Sequence, residues 1–395
     1  MDSPLVDTTG RFPLWLSRQA GIPWQSCKEI LLLFFLSRTL VVLVNGAVFV
    51  SANLNPSTPG LHLRDGIAFS DVPAQMWQRW DSNHYIAIAS QGYIVTVNGT
   101  VNTAYFPLYP LLGHLVSRVI PDVTLALVAV SNIAFFFALL LLYKMARLDF
   151  DHETALRAVQ YVSVYPFTLF FSGVFTESIF FLLLIAAVYF VRTERWLSGG
   201  LAGMFASATR LLGVAVLPAL AWEYASQRSW RIRNIDRSVL ALFLVPVGLL
   251  AFFAYTYVAY GDFLSTFHST RKGWGGAPSW PWVSFHENIM RVENGIAVLI
   301  SSLELLCAVI ALGVVAASFR QLRTSYAILA AVLVLISFSN VSLQSFCRYL
   351  ATVFPLYLLM AQAGTKRTVH AAIMIFSVAG AIFFTALFAN GRFIG

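Results

Sequence analysis

Long apolar runs alternate with short polar links along almost the whole chain. The first run covers about Glu29–Val50 and the next begins at Val123. About 20 apolar residues in helical conformation cross the hydrocarbon core of a bilayer. The pattern therefore predicts an all-α polytopic membrane protein with about eleven transmembrane helices and an external C-terminus. Further runs follow at 123–145, 152–192 (two spans joined by a tight external hairpin at 172–178), 197–224 (two short or broken helices), 238–260, 295–318, 324–341, 346–362 and 368–389.

Two long polar intervals interrupt this pattern. The first, residues 51–122, contains an apolar stretch at Leu111–Ile120 that is too short to span, and we expect it to form an interfacial helix. The second, residues 261–294, is rich in Trp, Gly and Pro. No repeat of fixed period is evident, which argues against a transporter built from inverted repeats. We expect one transmembrane domain over residues 1–395, with both intervals outside.

Composition fixes the class. Hydrophobic residues make up 58% of the chain and charged residues only 11%, where soluble domains have about 25%. The net charge of +8 does not indicate a nucleic-acid partner, because most Lys and Arg lie in the links between runs. Basic links are typical of cytoplasmic loops and predict a cytoplasmic N-terminus. We interpret the first run as a retained anchor, since no small-residue cleavage site follows it.

The most distinctive polar stretch is Trp77–Tyr85, in which aromatic rings and a histidine surround one carboxylate, Asp81. Rings with a polar edge favour the membrane boundary, so Asp81 is expected at the membrane surface. A carboxylate fixed there could act as a general base on a hydroxyl. The alternative is a Trp-anchored loop whose aspartate caps an interfacial helix. His84, three residues later, would share a helical face with Asp81.

Charges inside apolar runs are costly and suggest function by default. Glu177 is expected in the external hairpin, either as a cap in a solvated turn or facing a cavity. Arg210 and Arg348 carry guanidinium groups suited to phosphate oxygens. Alternatively, either arginine pairs structurally with Glu177 or Glu304. Arg38 is expected to snorkel to the inner surface without a functional role.

The second polar interval adds His268, Arg271 and Lys272 close to Trp274, a composition that suits a lid over an anionic lipid headgroup or an ordinary interfacial loop. The three cysteines have no metal-site spacing. A divalent metal is possible but not indicated, since the Asp81/His84 pair has no visible third ligand.

Several ordered motifs carry a family resemblance. They are Arg79–Tyr85 followed by Gly92-Tyr93, Tyr105–Pro110, Tyr165-Pro166 followed by Phe175–Ser178, Ala208–Gly213, Phe267-His268 followed by Trp274-Gly275, and Ser345–Tyr349 followed by Phe354-Pro355. With these motifs in this order, the chain resembles the PIG-V-type mannosyltransferases over nearly its whole length. These enzymes belong to the GT-C glycosyltransferases, and the compact chain favours their prokaryotic branch. Two departures, Cys347 before the Arg-Tyr pair and Leu211-Leu212 after Thr209-Arg210, bear on the acceptor more than on the reaction.

The resemblance implies a GT-C-like fold whose first external loop holds the catalytic aspartate, matching Asp81. It implies a polyprenyl- or dolichyl-phosphate sugar donor, typically mannose, and inverting transfer to a lipid-linked glycan or another acceptor on the external or lumenal side. The substrate-binding candidates are Arg79, His84, Tyr85, Glu177, Arg210, His268, Arg271, Lys272, Trp274 and Arg348. No cofactor is expected beyond this co-substrate. The expected location is the bacterial plasma membrane, or the endoplasmic reticulum in a eukaryote. The rival function is a transporter or flippase for a lipid-linked or anionic solute.

Overall fold

A computed structural model describes residues 21–54, 63, 67–94 and 101–394. The basic N-terminal flank with Arg11 and Arg18, and parts of the first polar interval, lie outside these residues. Within them the chain is helical, with only two isolated β-bridges. The helices are α1 (Trp24–Asn53), α2 (Val72–Gln75), α3 (Asp81–Gln91), α4 (Leu108–Val116), α5 (Val123–Ala146), α6 (His152–Ser163), α7 (Glu177–Arg192), α8 (Trp196–Thr209), α9 (Val216–Gln227), α10 (Val247–Tyr260), α11 (Ser265–Trp274), α12 (Pro281–Glu293), α13 (Val298–Gln321), α14 (Thr324–Phe338), α15 (Phe346–Leu350), α16 (Phe354–Ala363) and α17 (Arg367–Ala389).

Among the described residues, four helices are long and apolar enough to cross a membrane: α1, α5, α13 and α17. A fifth candidate is the 3-10 helix Arg237–Leu244 together with α10, which are bent by 44° at their junction. The first interfacial stretch is helical as expected, although α4 begins and ends earlier than predicted. The pair of short helices predicted at 197–224 corresponds to α8 and α9, with a 3-10 turn between them. The protein is an integral membrane protein, and the count of about eleven spans remains a prediction.

The run 152–192 differs from the prediction of two full spans. At 1.5 Å per residue, the 12 residues of α6 cover about 18 Å, well short of a bilayer core of about 30 Å. An irregular segment with one 3-10 turn, Thr168–Phe171, leads from α6 to α7. Pro166 disfavours helical geometry at the residue before it, which is consistent with this break. Non-helical backbone at membrane depth is tolerated only where protein surrounds it, and Thr168–Phe171 is buried.

Glu177 begins α7 and its side chain is fully buried, so the alternative of a cap in a solvated turn was wrong. The residues of the supposed hairpin, 172–178, are all buried. They form part of the protein core instead of an exposed turn. The interpretation of this run as two spans did not anticipate the break, because apolar pattern alone does not separate a lipid-exposed hairpin from a break enclosed by other helices.

Arg38 does not snorkel to a surface. Its guanidinium is buried and donates to Ser172 Oγ at 2.8 Å, Thr168 Oγ1 at 2.6 Å, and the carbonyl oxygens of Ser163 at 3.1 Å and Thr168 at 3.2 Å. These acceptors all lie at the break between α6 and α7. A break leaves backbone carbonyls without helical partners, and Arg38 supplies the missing donors.

Close backbone contact positions α8 against the segment that contains Ala241 and α10. A Cβ at Gly200 of α8 would lie 2.2 Å from the carbonyl oxygen of Ala241, and one at Gly248 of α10 would lie 2.0 Å from that of Met204. Ser207 joins the same helices, since its hydroxyl donates to Val245 O at 2.6 Å. Small residues of this kind let helices approach closely in membranes. This packing fixes the C-terminal end of α8, from which Arg210 follows.

The bundle has two distinct ends. At one end, Asn45 of α1 donates to Met76 O at 3.2 Å, next to the Asp81 stretch; we call this the site end. At the far end, Ser26 of α1 lies 3.0 Å from the hydroxyl of Tyr143. A partly buried ion-pair network also lies there, in which Arg192 contacts Asp149 at 2.9 Å and Arg323 contacts Glu223 at 2.7 Å. In the topology predicted from sequence the site end is external and the far end cytoplasmic, and this orientation remains a prediction.

Replacing Arg38 by Met should destabilise the protein, because several acceptors at the break would be left buried and unsatisfied at about 1–3 kcal/mol each. We expect the apparent Tm in detergent to fall by roughly 4 °C or more. The control is Arg320→Met, in an exposed position at the end of α13. Equal Tm changes in the two variants would show that the contacts of Arg38 do not stabilise the break.

Candidate active site

The site end is built on two unusual backbone positions. Trp80 has φ 47° and is the residue immediately before α3, which starts at Asp81. Ser345 has φ 69° and is the residue immediately before α15, which carries Arg348. Non-glycine residues in this region are strained and persist only where their surroundings hold them, often at functional sites. Trp80 is held edge-on against Phe388, with ring centroids 5.2 Å apart.

A buried carboxylate holds the second position. Ser345 donates its backbone N–H to Glu304 Oε1 at 2.8 Å, and Asn288 donates to Glu304 Oε2 at 3.0 Å. The sequence-based alternative that Glu304 pairs with Arg210 or Arg348 was therefore wrong. Its carboxylate instead fixes the turn from which Arg348 projects.

Four charged side chains from four separate segments meet at this end. Arg348 contacts Asp81 Oδ2 at 3.0 Å through Nη1 and Glu177 Oε1 at 2.7 Å through Nε. Arg210 contacts the same Glu177 oxygen at 2.8 Å. Both arginines therefore pair with Glu177, as one of the alternatives from sequence proposed. We call Asp81, Glu177, Arg210 and Arg348 the charge cluster.

The members of the charge cluster differ in exposure. The side chain of Glu177 is 0% exposed, Arg348 4% and Arg210 11%, whereas Asp81 is 24% exposed. Two carboxylates face two guanidiniums, so the formal charges balance, as buried charges require. Among the two carboxylates, Asp81 is the one that a substrate hydroxyl can reach.

Aromatic rings enclose the arginines. The Arg348 guanidinium lies 5.2 Å and 5.3 Å from the ring centroids of Phe170 and Phe175, and Arg210 lies 4.7 Å from that of Tyr349. Cations at this distance from a ring face are attracted to it. Arg210 and Tyr349 also line a crevice of about 10 Å³, close to the space of one water molecule. The interior beside the arginines is therefore closely packed.

Tyr105 is a site residue that we did not select from sequence, although it begins the Tyr105–Pro110 motif. Its hydroxyl donates to Asp81 Oδ1 at 3.1 Å, on the carboxylate oxygen that Arg348 does not contact. Burial, reinforced by the Asp81 carboxylate, raises the pKa of Tyr105, so the phenol keeps its proton. Arg348 and Tyr105 together fix the orientation of Asp81.

The predicted neighbours His84 and Tyr85 pack around Tyr105. The His84 ring stacks on Tyr105 at a centroid distance of 4.6 Å, while Tyr85 meets Tyr105 edge-on at 4.9 Å. Burial lowers the pKa of His84, with the Asp81 charge opposing the shift, and burial raises the pKa of Tyr85. Both residues support the phenol that contacts Asp81.

Arg79 lies apart from the charge cluster. Its guanidinium donates to the carbonyl oxygens of Ala389 and Gln78 and lies 5.3 Å from the Phe49 ring centroid. These contacts join the Asp81 stretch to α1 and α17. They do not bring Arg79 to the carboxylate of Asp81, and its predicted role in substrate binding stays a prediction.

The basic residues of α11 are at the rim. His268 pairs with Asp262 at 2.8 Å, and Arg271 and Lys272 are exposed. The helix is tied to the segment that leads to Tyr105, since Ser265 and Thr103 share a hydrogen bond of 2.7 Å. The side chain of Trp274 lies outside what the structure describes. Across the described ranges, no group of three or more His, Cys, Asp or Glu is arranged to hold a metal ion.

Comparisons with known proteins show which family and which fold the chain resembles. The family described as "Mannosyltransferase (PIG-V)" matches residues 27–285, more than half of the chain. The search of curated proteins found no match. The matched range contains Asp81, Glu177 and Arg210, while Arg348 lies beyond it and joins them through the fold.

Two solved structures illustrate the fold. ArnT from Cupriavidus metallidurans, bound to undecaprenyl phosphate, has a TM-score of 0.50 at 12% identity, over 90% of this chain and 76% of ArnT. The Archaeoglobus fulgidus oligosaccharyltransferase, in complex with Zn and sulfate, has a TM-score of 0.49 at 14% identity, over 90% of this chain and 53% of that protein. The similarity to ArnT confirms the GT-C-like fold class expected from sequence.

The match over residues 27–285 and the shared GT-C fold lead to one conclusion: the chain belongs to the PIG-V mannosyltransferase family and is a membrane-embedded glycosyltransferase.

Proposed function

We propose that the protein transfers mannose from a polyprenyl- or dolichyl-phosphate donor to a lipid-linked glycan or related acceptor at its site end, on the external face. Asp81 acts as the general base. The observation that carries this assignment is the exposure of Asp81, at 24%, beside a fully buried Glu177. The family supports mannose, and the undecaprenyl phosphate bound by ArnT supports a lipid phosphate donor.

The reaction is a single displacement at the anomeric carbon. The acceptor oxygen forms a bond to this carbon, the bond from the carbon to the phosphate oxygen breaks, and Asp81 takes the hydroxyl proton. The lipid phosphate leaves with the bonding electron pair. A phosphate leaving group needs no general acid, so one accessible carboxylate is enough.

The charge cluster links proton transfer to departure of the phosphate. Before the reaction, Asp81 and Glu177 balance Arg348 and Arg210. When Asp81 accepts a proton, one negative charge of the cluster is lost and an excess positive charge remains beside Arg348. The leaving phosphate gains negative charge at the same time. Fixed guanidinium groups that meet developing charge are the typical source of transition-state stabilisation.

The rim residues of α11 suit an accessory role. Arg271 and Lys272 are exposed and can meet an incoming phosphate before it reaches Arg210. His268 lies in the first turn of α11, and its ring is oriented by Asp262, which precedes the helix. The charge cluster also favours sugar transfer over the transporter alternative. A transport path does not require an oriented, partly exposed carboxylate such as Asp81.

Replacing Asp81 by Asn should remove the base and leave a side chain of the same shape. We expect the kcat for transfer from radiolabelled polyprenyl-phosphate mannose to extracted membrane acceptors to fall by about 100-fold or more. The matched control is Asp71→Asn, an exposed carboxylate in the same interval, which should retain activity. Near-normal turnover of the Asp81 variant would show that Asp81 is not the general base.

Replacing Arg210 by Lys keeps the charge but removes the fork that can bind phosphate oxygens in a bidentate manner. We expect the KM for the donor to rise about tenfold while kcat changes by less than about threefold. Arg320→Lys, at the far end, serves as the control. An unchanged donor KM would contradict the phosphate role of Arg210.

Replacing Tyr105 by Phe removes only the hydrogen bond to Asp81 Oδ1. Because a hydrogen bond to a charged carboxylate contributes about 1.5 kcal/mol or more, we expect kcat to fall about tenfold or more with little change in the KM for the donor. Steady-state kinetics under the same assay measures both constants. A fall confined to KM would show that Tyr105 contacts substrate and does not orient the base.

A further inference from the structure

A cavity of about 280 Å³ opens at the far end, between α6 and the turn that joins α16 to α17. Its lining is mainly polar and basic, and it lies at the opposite end of the bundle from the charge cluster. The lining residues are Glu153, Leu156, Arg157, Gln160, Gly364, Thr365, Arg367 and His370. The proposed sugar transfer uses none of them.

The positive charge of this cavity is only partly balanced, by Glu153 in the lining and by Asp151, whose carboxylate interacts with Arg157. Neither Arg157 nor Arg367 forms an ion pair or a side-chain hydrogen bond with any residue in the described part of the chain. Glu153 is the one carboxylate of the lining, against two guanidiniums from two different helices. Gln160 also forms no side-chain hydrogen bond to a described residue, so its amide can donate. The cavity therefore presents several donors and a net positive charge.

The backbone and His370 add to this arrangement. Helix α17, of 23 residues, starts at the cavity with no side-chain cap at Lys366, so its first N–H groups and its positive dipole end face this region. The hydroxyl of Tyr161 lies 2.8 Å from His370 Nδ1. When this hydroxyl donates, Nε2 carries the ring proton and can donate to a ligand. Two guanidiniums, an imidazole and a helix N-terminus form a combination suited to phosphate.

The course of α17 indicates what carries the phosphate. From the cavity, its exposed side chains are first the small residues Ala371 and Ala372 and then the large apolar residues Ile375 and Phe376. A lipid whose headgroup occupies the cavity could therefore lay its acyl chains along this face. The far end is the predicted cytoplasmic face, where anionic lipids attract basic sites.

From these contacts we propose that the cavity binds the phosphodiester headgroup of an anionic phospholipid, with its acyl chains along α17. This site is separate from the sugar-transfer site, and the proposal does not depend on the function assigned there. Because the ligand is held by charge, its retention should weaken as the salt concentration rises.

The test uses the purified full chain in detergent with added phosphatidylglycerol or phosphatidylcholine, and bound lipid is counted by native mass spectrometry. The variant is the double substitution Arg157→Gln and Arg367→Gln. The control is Arg233→Gln with Arg237→Gln, two exposed arginines of another loop in the predicted cytoplasmic face. We expect the apparent Kd for phosphatidylglycerol to rise roughly tenfold or more in the variant and less than about twofold in the control.

If the double variant is unstable, the single variant Arg367→Gln, which changes only an exposed residue, serves instead. Its apparent Kd for phosphatidylglycerol should rise about threefold. Inorganic phosphate is added as a competitor, and displacement of phosphatidylglycerol at millimolar concentrations would support phosphate recognition. Equal losses in variant and control, or equal retention of the two lipids by the wild-type protein, would overturn the proposal. Saturable binding of phosphate without preferential retention of phosphatidylglycerol would overturn the assignment to a lipid.

Discussion

The mutual neutralisation of Asp81, Glu177, Arg210 and Arg348 is the constraint on which the site end depends. Glu177 and Arg348 are almost completely removed from solvent, and an unpaired charge in such a place costs several kcal/mol. The buried Glu177 carboxylate is therefore stabilised by both Arg210 and Arg348, which contact it. The cluster brings together chain segments that are distant in sequence, from the first polar interval to residue 348. It provides a fixed electrostatic environment in which one carboxylate remains accessible.

The irregular segments of the fold serve this cluster. The break between α6 and α7 places Glu177 at the start of a helix inside the bundle, and the break after α8 places Arg210 opposite it. Ser345 provides a third such turn, held by Glu304. A regular transmembrane helix satisfies its own backbone and buries few charged groups, whereas a broken one exposes backbone ends and admits polar side chains. Arg38 supplies the donors that make one of these breaks stable.

The sequence predicted the class of protein, the long helices and the chemically important charges. Hydrophobic runs identified α1, α5, α13 and α17 because length and apolar composition suffice for such spans. Charges within other apolar runs drew attention to Glu177, Arg210 and Arg348, because a buried charge is costly. The sequence did not predict the break after α6 or the buried position of Glu177, since both depend on which helices surround the segment. Arg38 was misjudged for the same reason: all but one of its acceptors are more than 100 residues away. Tyr105 was missed because a tyrosine in an aromatic motif carries no signal of its hydrogen-bond partner.

The most direct measurement for the central claim is the anomeric configuration of the product, determined by NMR after transfer from polyprenyl-phosphate mannose of known configuration. A single displacement assisted by one accessible carboxylate inverts the anomeric centre, so the account predicts a product of opposite configuration to the donor. Retention of configuration would contradict it, because retention requires a second displacement on a covalent intermediate, for which the buried and doubly ion-paired Glu177 offers no accessible nucleophile.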